Sequence, residues 1–168
     1  MLETGLLDIG FLRLPIGEHS ALEVATVHRE SFVLVVPASH KLAKRKRVRL
    51  SEVSGEDFVM YERSYAPGFH DLIFGMLRDA RIVPNVSQTA AEISTLISLV
   101  DANMGIAILP ASAVKHSVAP VIACEILGQM PRFEIAIAVS KRVRAAVADN
   151  FRSFALKDFR SGKELFGR

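Results

Sequence analysis

The clearest hydrophobic pattern in the chain is a helix followed directly by a buried strand, within residues 92–112. Four apolar residues share one helical face at spacings of three and four: Ile93, Leu96, Ile97 and Val100. The helix is predicted to end near Asn103, because Asn tolerates the left-handed conformation that closes many helices. Residues 106–109 are all apolar, which is typical of a strand covered on both faces, and Pro110 ends the run. This order of elements indicates an α/β protein.

The remaining apolar patterns predict strands interspersed with a few helices. Strands are predicted at residues 6–13, 22–29, 32–36, 58–61, 85–89, 118–127 and 133–139. Amphipathic helices are predicted over residues 69–80 and 144–159, with short helical segments near 51–53 and after Ala111. In the last helix, four residues are expected to face the core: Val147, Phe151, Phe154 and Leu156.

Composition narrows the class of protein. Of the 168 residues 50% are hydrophobic, yet no apolar run is long enough to span a bilayer, and the first residues lack the pattern of a signal peptide. Cys124 is the single cysteine, which excludes an internal disulfide and fits a reducing compartment. We therefore expect a soluble, cytoplasmic protein. The formal net charge of +3 is too small to require a nucleic-acid partner.

Motifs of catalysis, cofactor binding and metal binding are absent from the sequence. The five histidines are scattered without metal-ligand spacing: His19, His28, His40, His70 and His116. Cys124 lies in an apolar segment and is interpreted as a buried, inert thiol. The basic run at residues 41–49 is either a phosphate-binding patch or a solvated loop, and the lack of interleaved aromatic residues favours the loop.

The loop at residues 61–69 is the strongest candidate for a binding site. It connects the carboxyl end of a predicted strand to a helix start, where α/β sheets bind ligands and where free amides favour an anion. Ser64 and Tyr65 add hydroxyl groups, and Arg63 adds a cation suited to a carboxylate. An ordinary surface loop capped by Ser64 explains the pattern equally well. The start of the next helix, at residues 89–93, is expected to point into the same crevice.

Three motifs in this order resemble the regulatory (effector-binding) domain of LysR-type transcriptional regulators, over about residues 2–156. They are Gly5-x-Leu7-Asp8-Ile9-Gly10, then Pro37-x-x-His40-x-Leu42-Ala43 with Val48-x-Leu50-x-x-Val53, then Glu92-Ile93 through Leu99-Val100 with Gly105-Ile106-x-x-Leu109-Pro110. The sequence departs from the family at Lys41, where Pro is usual, and at Asn103, where Gly is usual.

The resemblance implies a periplasmic-binding-protein-like (type II) α/β fold with two Rossmann-like lobes. Residues 1–13 and 119–160 would form a partial first lobe, residues 14–118 the second lobe, and residues 161–168 a tail. The family's helix-turn-helix segment, and the first strand, first helix and second strand of the first lobe, have no counterpart before Met1. The first lobe is therefore expected to be incomplete, through truncation at the N-terminus.

The resemblance also implies a function: an effector-sensing and oligomerisation domain, not an enzyme, without a cofactor. A small organic anion would bind between the lobes, and the loop resembles members that control catabolism of aromatic compounds, which indicates an aromatic acid or its ring-cleavage product. The implied effector contacts are Arg63, Ser64, Tyr65, Pro67, Gly68, Phe69, Glu92 and Ile93.

Partners follow from the same resemblance. A homo-oligomer is expected, with the helix at residues 69–80 as a candidate interface, and DNA would be reached only through a DNA-binding domain that this chain lacks. No membrane is expected as a partner. A solute-binding module of a transport system shares the fold and is the alternative, although it needs an export signal. A small enzyme acting at the 61–69 loop would need a nucleophile–base pair, and none is identified.

Overall fold

The computed structural model describes residues 1–16, 21–143 and 145–160, so the predicted tail at 161–168 lies outside the described residues. The described chain forms two compact units. Unit 1 comprises Met1–Arg29 and the described part of Glu134–Arg168, and unit 2 comprises Glu30–Phe133. The lobe bounds of the sequence analysis stay a prediction, because compactness alone does not define a ligand-binding lobe.

Nine strands and four α-helices make up the described structure. The strands are β1 Ile9–Leu14, β2 Leu22–Glu30, β3 Phe32–Pro37, β4 Arg47–Val48, β5 Asp57–Tyr61, β6 Asn85–Ala90, β7 Ala107–Pro110, β8 Val121–Ile126 and β9 Phe133–Ser140. The helices are α1 Pro67–Asp79, α2 Ile93–Asp101, α3 Ala111–Lys115 and α4 Ala146–Arg160, with a short 3-10 helix at Leu50–Val53. Each element that the apolar patterns predict is therefore present, with bounds that differ by a few residues.

Unit 2 is built on a four-stranded sheet in the order β4-β8-β3-β7 and on the parallel pair β5-β6. β3 is the central apolar run, and its Leu34, Val35 and Val36 are fully buried. β7 is buried along its whole length, which confirms the prediction that both faces of its sheet are covered. α2 packs its apolar face on these strands through Leu96, Ile97 and Val100, which are three of the four residues that the periodicity selects, and the fourth, Ile93, is half-buried.

The turn after α2 has the predicted left-handed residue. Asn103 has φ +58°, and its side-chain oxygen accepts a hydrogen bond of 2.7 Å from the hydroxyl of Ser39. Gly105 follows with φ +148°, a conformation that L side chains rarely adopt. The amide of Ile106 then donates to the Asp57 carbonyl at 2.8 Å, and the Val59 amide donates to the Ile106 carbonyl at 2.9 Å. These bonds attach β5 to the segment that continues as β7.

Unit 1 contains the three-stranded sheet β1-β9-β2, in which β9 is central and β1 pairs with it antiparallel. Leu2, Leu22 and Ala138 form a small core with Leu12 packed against it. β1 begins at Ile9, not at residue 6 as predicted, because residues 2–6 form turns, with Gly5 at φ +72°. Ser140 ends β9, and its hydroxyl accepts hydrogen bonds from the amides of Arg142 and Val143.

The predicted core face of α4 is wrong. Ala148 and Ala155 are the buried residues of this helix, whereas Val147, Phe151 and Phe154 are exposed. Small alanine side chains allow a helix to lie close to its neighbours, and the bulky residues one step around the helix are then left outside the contact. The periodicity identified an apolar stripe correctly, but this stripe faces solvent and not the core.

Gly105 gives a direct test of the turn that holds β5. A Cβ on Gly105 would lie 2.7 Å from the Asp57 carbonyl oxygen, which is a backbone atom that cannot rotate away. Gly105→Ala is expected to lower the free energy of unfolding by about 2 kcal/mol or more, through this overlap and the strained φ. Urea denaturation followed by circular dichroism measures the change.

Gly75→Ala is the matched control, because Gly75 lies inside α1 and a Cβ there meets no atom within 4 Å. Helix propensity predicts that this variant gains up to about 1 kcal/mol in the free energy of unfolding. Equal effects of the two substitutions would contradict the close approach at Gly105.

Candidate functional site

Two parallel strands of unit 2 end side by side at one sheet edge. β5 and β6 pair in parallel with Tyr61 opposite Ala90, and the Glu62 amide donates to the Ala90 carbonyl at 2.9 Å. The loop after β5 leads into α1, and the two residues after β6 lead into α2. The starts of α1 and α2 therefore leave the same edge, as expected for a site at the carboxyl ends of strands.

Neither helix start at this edge receives an anion from the described protein. α1 begins at Pro67 with Ala66 as N-cap, and α2 begins at Ile93 with Glu92 as N-cap, and neither cap residue's side chain bonds to the helix. Within the described chain, no hydrogen-bond acceptor is recorded for the amides of the first helical turns. Because Pro67 has no N–H, these amides belong to Gly68 and Phe69 in α1, and to Ile93, Ser94 and Thr95 in α2.

The start of α3 shows what an occupied helix start looks like in this protein. The Glu30 carboxylate accepts hydrogen bonds from the Ser112 amide at 2.6 Å and from the Ser112 hydroxyl at 2.8 Å. A negative charge at this position is stabilised by the unpaired amides and by the helix dipole. Among the described residues no carboxylate bonds to the start of α1 or α2 in this way.

Arg63 is placed in the loop, but its charge is already paired. Its guanidinium contacts both carboxylate oxygens of Asp71, at 2.8 Å and 2.9 Å, in an exposed bidentate ion pair. The hydrogen bond from Arg63, followed by that from His70, lowers the pKa of Asp71 to about 2, and the same contact raises the pKa of Arg63. An effector would have to compete with Asp71 for this cation, which the sequence alone does not show.

Hydroxyl groups and carboxylates share the rim of this edge. The Ser64 hydroxyl donates to the Glu62 carboxylate at 2.8 Å, so Ser64 does not cap α1, whose N-cap is Ala66. The Tyr65 side chain is 67% exposed. Glu92 is also exposed, and Ile93 is half-buried at the first position of α2. The rim thus offers both donors and acceptors, and not a purely cationic surface.

Phe69 is the predicted contact whose side chain is least accessible. It is only 5% exposed and packs in a cluster of four rings with Phe32, Tyr61 and Phe133, at centroid distances of 5.5–6.0 Å. Such edge-to-face packing is a core role. A ligand contact by Phe69 is therefore restricted to its backbone amide, whereas Pro67 and Gly68 precede it at the surface.

Ser94 and Thr95 are absent from the residues that the sequence analysis selected. Both are exposed in the first turn of α2, directly after Ile93. Both residues follow a predicted strand and begin a predicted helix, and this position is the sequence signal that could have identified them. Of the eight predicted residues, three lie in the loop before α1 and five at the starts of α1 and α2, and Ser94 and Thr95 add two hydroxyl groups beside them.

The other candidate groups of the sequence have structural roles. In the basic run, Lys41 pairs with Glu56, Arg45 with Glu52 and Arg47 with Glu125, as in a solvated loop. The Cys124 side chain is buried, and burial raises the pKa of its thiol, as for an inert cysteine. In the described part of the chain, no group of three or more His, Cys, Asp or Glu residues is arranged to hold a metal ion. Within the same residues, every helix is too short or too polar to span a membrane.

The fold is that of an effector-binding domain with a type II periplasmic-binding-protein-like architecture. The chain is similar to the effector-binding domain of QuiR in complex with shikimate, with a TM-score of 0.83 at 20% identity, over 95% of this chain and 75% of that one. It is also similar to full-length CbnR complexed with its target DNA, with a TM-score of 0.83 at 21% identity, over 97% of this chain and 56% of that one. At these identities the similarity establishes the fold.

Membership of a family follows from the sequence match. The model of the LysR substrate binding domain matches residues 1–160, and the chain belongs to this family, whose members are parts of transcriptional regulators and not enzymes. Similar proteins include the HTH-type transcriptional regulator TtuA of Agrobacterium vitis, 38% identical over 114 residues, and the uncharacterized regulator YnfL of Escherichia coli, 37% identical over 111 residues. These matches cover 68% and 64% of this chain, but only 38% and 36% of the relatives.

The Arg63–Asp71 pair makes a testable prediction about pH. Asp71 has its pKa lowered in the folded protein from an ordinary 3.8 to about 2, so the pair contributes stability above pH 3.8, and this contribution is lost as pH falls towards 2. We expect the carboxyl carbon of Asp71 to titrate well below 3.8 by NMR, and to shift upward in Arg63→Gln. Arg78→Gln, in the last turn of the same helix, is the control and should leave this titration unchanged. An unshifted midpoint in the unmodified protein would contradict the ion pair.

Proposed function

We propose that the chain is the effector-sensing domain of a LysR-type transcriptional regulator and that it binds a small organic anion at the starts of α1 and α2. The observation that carries the proposal is the pair of uncapped helix starts at the ends of β5 and β6. Two sets of free amides at one edge suit the two oxygens of a carboxylate. The carboxylate of Glu30 supports this interpretation, since it accepts a hydrogen bond from the Ser112 amide at the start of α3.

Each of the selected residues has a role in the proposal. The amides of Gly68 and Phe69 face the anion from α1, and Pro67, which lacks an N–H, fixes the first turn. The amide of Ile93 faces it from α2, with Glu92 at the rim. Tyr65 and Ser64 flank the anion with hydroxyl groups, and Arg63 joins them when it leaves Asp71. The buried ring of Phe69 holds the start of α1 in place.

The class of effector is inferred from the groups at the rim. The QuiR domain binds shikimate and the BenM domain is described with its effector benzoate, and both ligands are ring-containing carboxylates. In this chain the hydroxyls of Ser64, Tyr65, Ser94 and Thr95 and the carboxylates of Glu62 and Glu92 offer partners for hydroxyl groups on a ligand. We therefore infer an aromatic or hydroxylated carboxylic acid, or a dicarboxylate from ring cleavage.

Three further parts of the proposal concern the intact regulator. We infer that the protein acts in the cytoplasm, where its DNA target lies, and that the chain associates with copies of itself. Contact with DNA is assigned to segments beyond the matched domain, because the relatives are more than twice the length of their match to this chain. A mobility-shift assay with the chain alone should show no sequence-specific, salt-resistant complex, and such a complex would contradict this assignment.

Ligand binding is tested by thermal shift. Benzoate, shikimate, hydroxylated acids and ring-cleavage dicarboxylates are each added to the purified chain. A true effector at 100 times its Kd adds about 2.7 kcal/mol to the free energy of unfolding and raises Tm by several degrees. Uncharged amides of the same acids are the ligand controls and should be inactive. No shift with any carboxylate, in the presence of a folded protein, would count against the proposal.

Substitutions locate the binding site. Tyr65→Ala and Ser94→Ala are expected to weaken the selected acid roughly tenfold each by isothermal titration, because each removes one contact. The matched controls are Val83→Ala, an exposed residue 92% accessible, and Ser51→Ala in the 3-10 helix. All four variants should unfold at nearly the same temperature without ligand. Loss of affinity in the controls but not in the site variants would place the ligand elsewhere.

A further inference from the structure

Carboxylates outnumber cations at the sheet edge where α1 and α2 begin. The segments that form this edge, residues 61–71 and 89–95, carry these charged side chains: Glu62, Arg63, Asp71 and Glu92. With histidine counted as neutral, their formal charges balance to −2. An edge with this balance attracts anions less than one that is lined by several cations. The number of negative charges on an effector therefore affects its affinity for this edge.

The one cation of these segments is fully engaged. The Arg63 guanidinium donates from Nε to Asp71 Oδ1 at 2.8 Å and from Nη2 to Asp71 Oδ2 at 2.9 Å. Such a bidentate pair uses the planar fork of the guanidinium on a single carboxylate. Because Asp71 belongs to α1 and Arg63 to the loop before it, the pair holds the cation against the helix. A ligand at this edge meets a neutralised cation.

Asp71 is contacted from a second side by its neighbour in the helix. The Nδ1 atom of His70 lies 3.2 Å from Asp71 Oδ1, and the His70 ring stacks on Phe74 at a centroid distance of 4.4 Å. The stack restricts the imidazole, which in turn helps to keep the carboxylate directed at Arg63. The hydrogen bond from Arg63 lowers the pKa of Asp71 to about 2, so the carboxylate is ionised at neutral pH.

The two other carboxylates of the edge have no cation beside them. Among the described residues, the Glu62 carboxylate accepts a hydrogen bond only from the Ser64 hydroxyl, at 2.8 Å, and the Glu92 side chain does not cap α2. The Glu62 amide donates to the carbonyl of Ala90, two residues before Glu92, so both carboxylates start from the same part of the edge. A further negative charge brought by a ligand is uncompensated there.

A carboxylate effector needs none of these charged side chains for its first negative charge, because the helix amides are its proposed partners. A second carboxylate either displaces Asp71 from Arg63 or stays unpaired beside Glu62 and Glu92. Displacement exchanges one exposed carboxylate for another on the same guanidinium, which gains little. It also leaves Asp71 without its cation beside a doubly charged ligand. Both arrangements disfavour a second charge.

We propose that Asp71 is a specificity-determining residue: by holding Arg63, it makes the effector site prefer acids with one negative charge over acids with two. The inference rests on the proposed function and narrows its effector class to monocarboxylates, with hydroxyl groups as their further polar groups. Asp71 acts through Arg63 and does not touch the effector. Such discrimination comes from repulsion of the wrong ligand as much as from attraction of the right one.

The expected size of the preference follows from the exposure of these groups. Exposed charges are screened by water and by salt, so the two kinds of acid should differ in Kd by roughly threefold to fivefold at about 0.15 M salt. Raising the salt to about 1 M shortens the Debye length to about 3 Å and should bring the two Kd values together. This salt dependence is measured on the unmodified chain and needs no variant.

Two probes of nearly the same shape isolate the charge. Terephthalate carries two carboxylates on a ring, and its monoamide, 4-carbamoylbenzoate, replaces one of them by a neutral amide. Isothermal titration of the whole chain at neutral pH should show tighter binding of the monoamide. In Asp71→Asn, which keeps the shape of the side chain and releases Arg63, this preference should disappear or reverse, because the free guanidinium is then a partner for the second carboxylate.

Asp79→Asn is the matched control, since it removes the same charge from an exposed position of the same helix. Asp79 lies eight residues after Asp71, about 12 Å further along the axis. This separation exceeds the Debye length of about 8 Å at about 0.15 M salt, so the control should keep the preference for the monoamide. Circular dichroism establishes that both variants fold.

A double variant tests whether Asp71 acts through Arg63. Asp71→Asn/Arg63→Gln removes both members of the pair, so no cation of the edge is left for a second carboxylate, whereas Glu62 and Glu92 remain. The preference for the monoamide should therefore return. A role of Asp71 in folding alone would not produce a loss of preference in the single variant and its recovery in the double one.

The outcomes separate this inference from the proposed function. Terephthalate binding to the unmodified chain as tightly as its monoamide, or a preference that Asp71→Asn leaves unchanged, overturns the inference and retains the effector site. If no acid of the thermal-shift series binds, the proposed function fails and the inference fails with it. If neither probe binds but another acid does, the ranking of the series decides: a dicarboxylate as the tightest ligand overturns the inference, and a monocarboxylate supports it.

Discussion

The close approach of Gly105 to the carbonyl of Asp57 is the constraint on which the arrangement of unit 2 depends. This approach lets the amide of Ile106 donate a hydrogen bond to the carbonyl of Asp57, and lets the carbonyl of Ile106 accept one from the amide of Val59. One side of β5 is therefore held by the segment that leads to β7. On its other side β5 pairs with β6. A side chain at position 105 would separate these backbones. Both helix starts of the candidate site depend on this attachment, because each follows one of the two strands.

The candidate site is a product of backbone geometry more than of charged side chains. Its one obvious cation, Arg63, is held by Asp71, and the Ser64 hydroxyl is held by Glu62. What remains for a carboxylate is a set of amides at two adjacent helix starts, which are neutral groups with a fixed orientation. Under the proposed function, such a site would bind an anion without burying a counter-charge, and would avoid the desolvation cost that a buried ion pair carries. It also leaves the rim free to discriminate among acids by their hydroxyl groups.

Unit 1 and unit 2 differ in how completely their apolar side chains are buried. In unit 2 the central strand β3 is covered on both faces, and an aromatic cluster around Phe69 closes the space beside it. Unit 1 has three strands, one described helix and a small core around Leu2, which leaves aromatic side chains in water.

The sequence by itself determined the elements, the fold class and the position of the site loops. Local rules were sufficient for the α2 periodicity, the left-handed Asn103 and the apolar run of β7, since each depends on neighbours within a few residues. The family motifs then supplied the architecture, because they are spread along the chain in a fixed order.

Only the tertiary structure decided which partner each side chain meets. Arg63 and Asp71 are eight residues apart, and Glu30 reaches Ser112 across 82 residues, so neither contact is encoded in a local pattern. The same is true of α4, which has two apolar stripes. Only the stripe with the small alanines is buried. Periodicity shows that a helix has an apolar side, but the shape of the surface that it meets decides which side is buried.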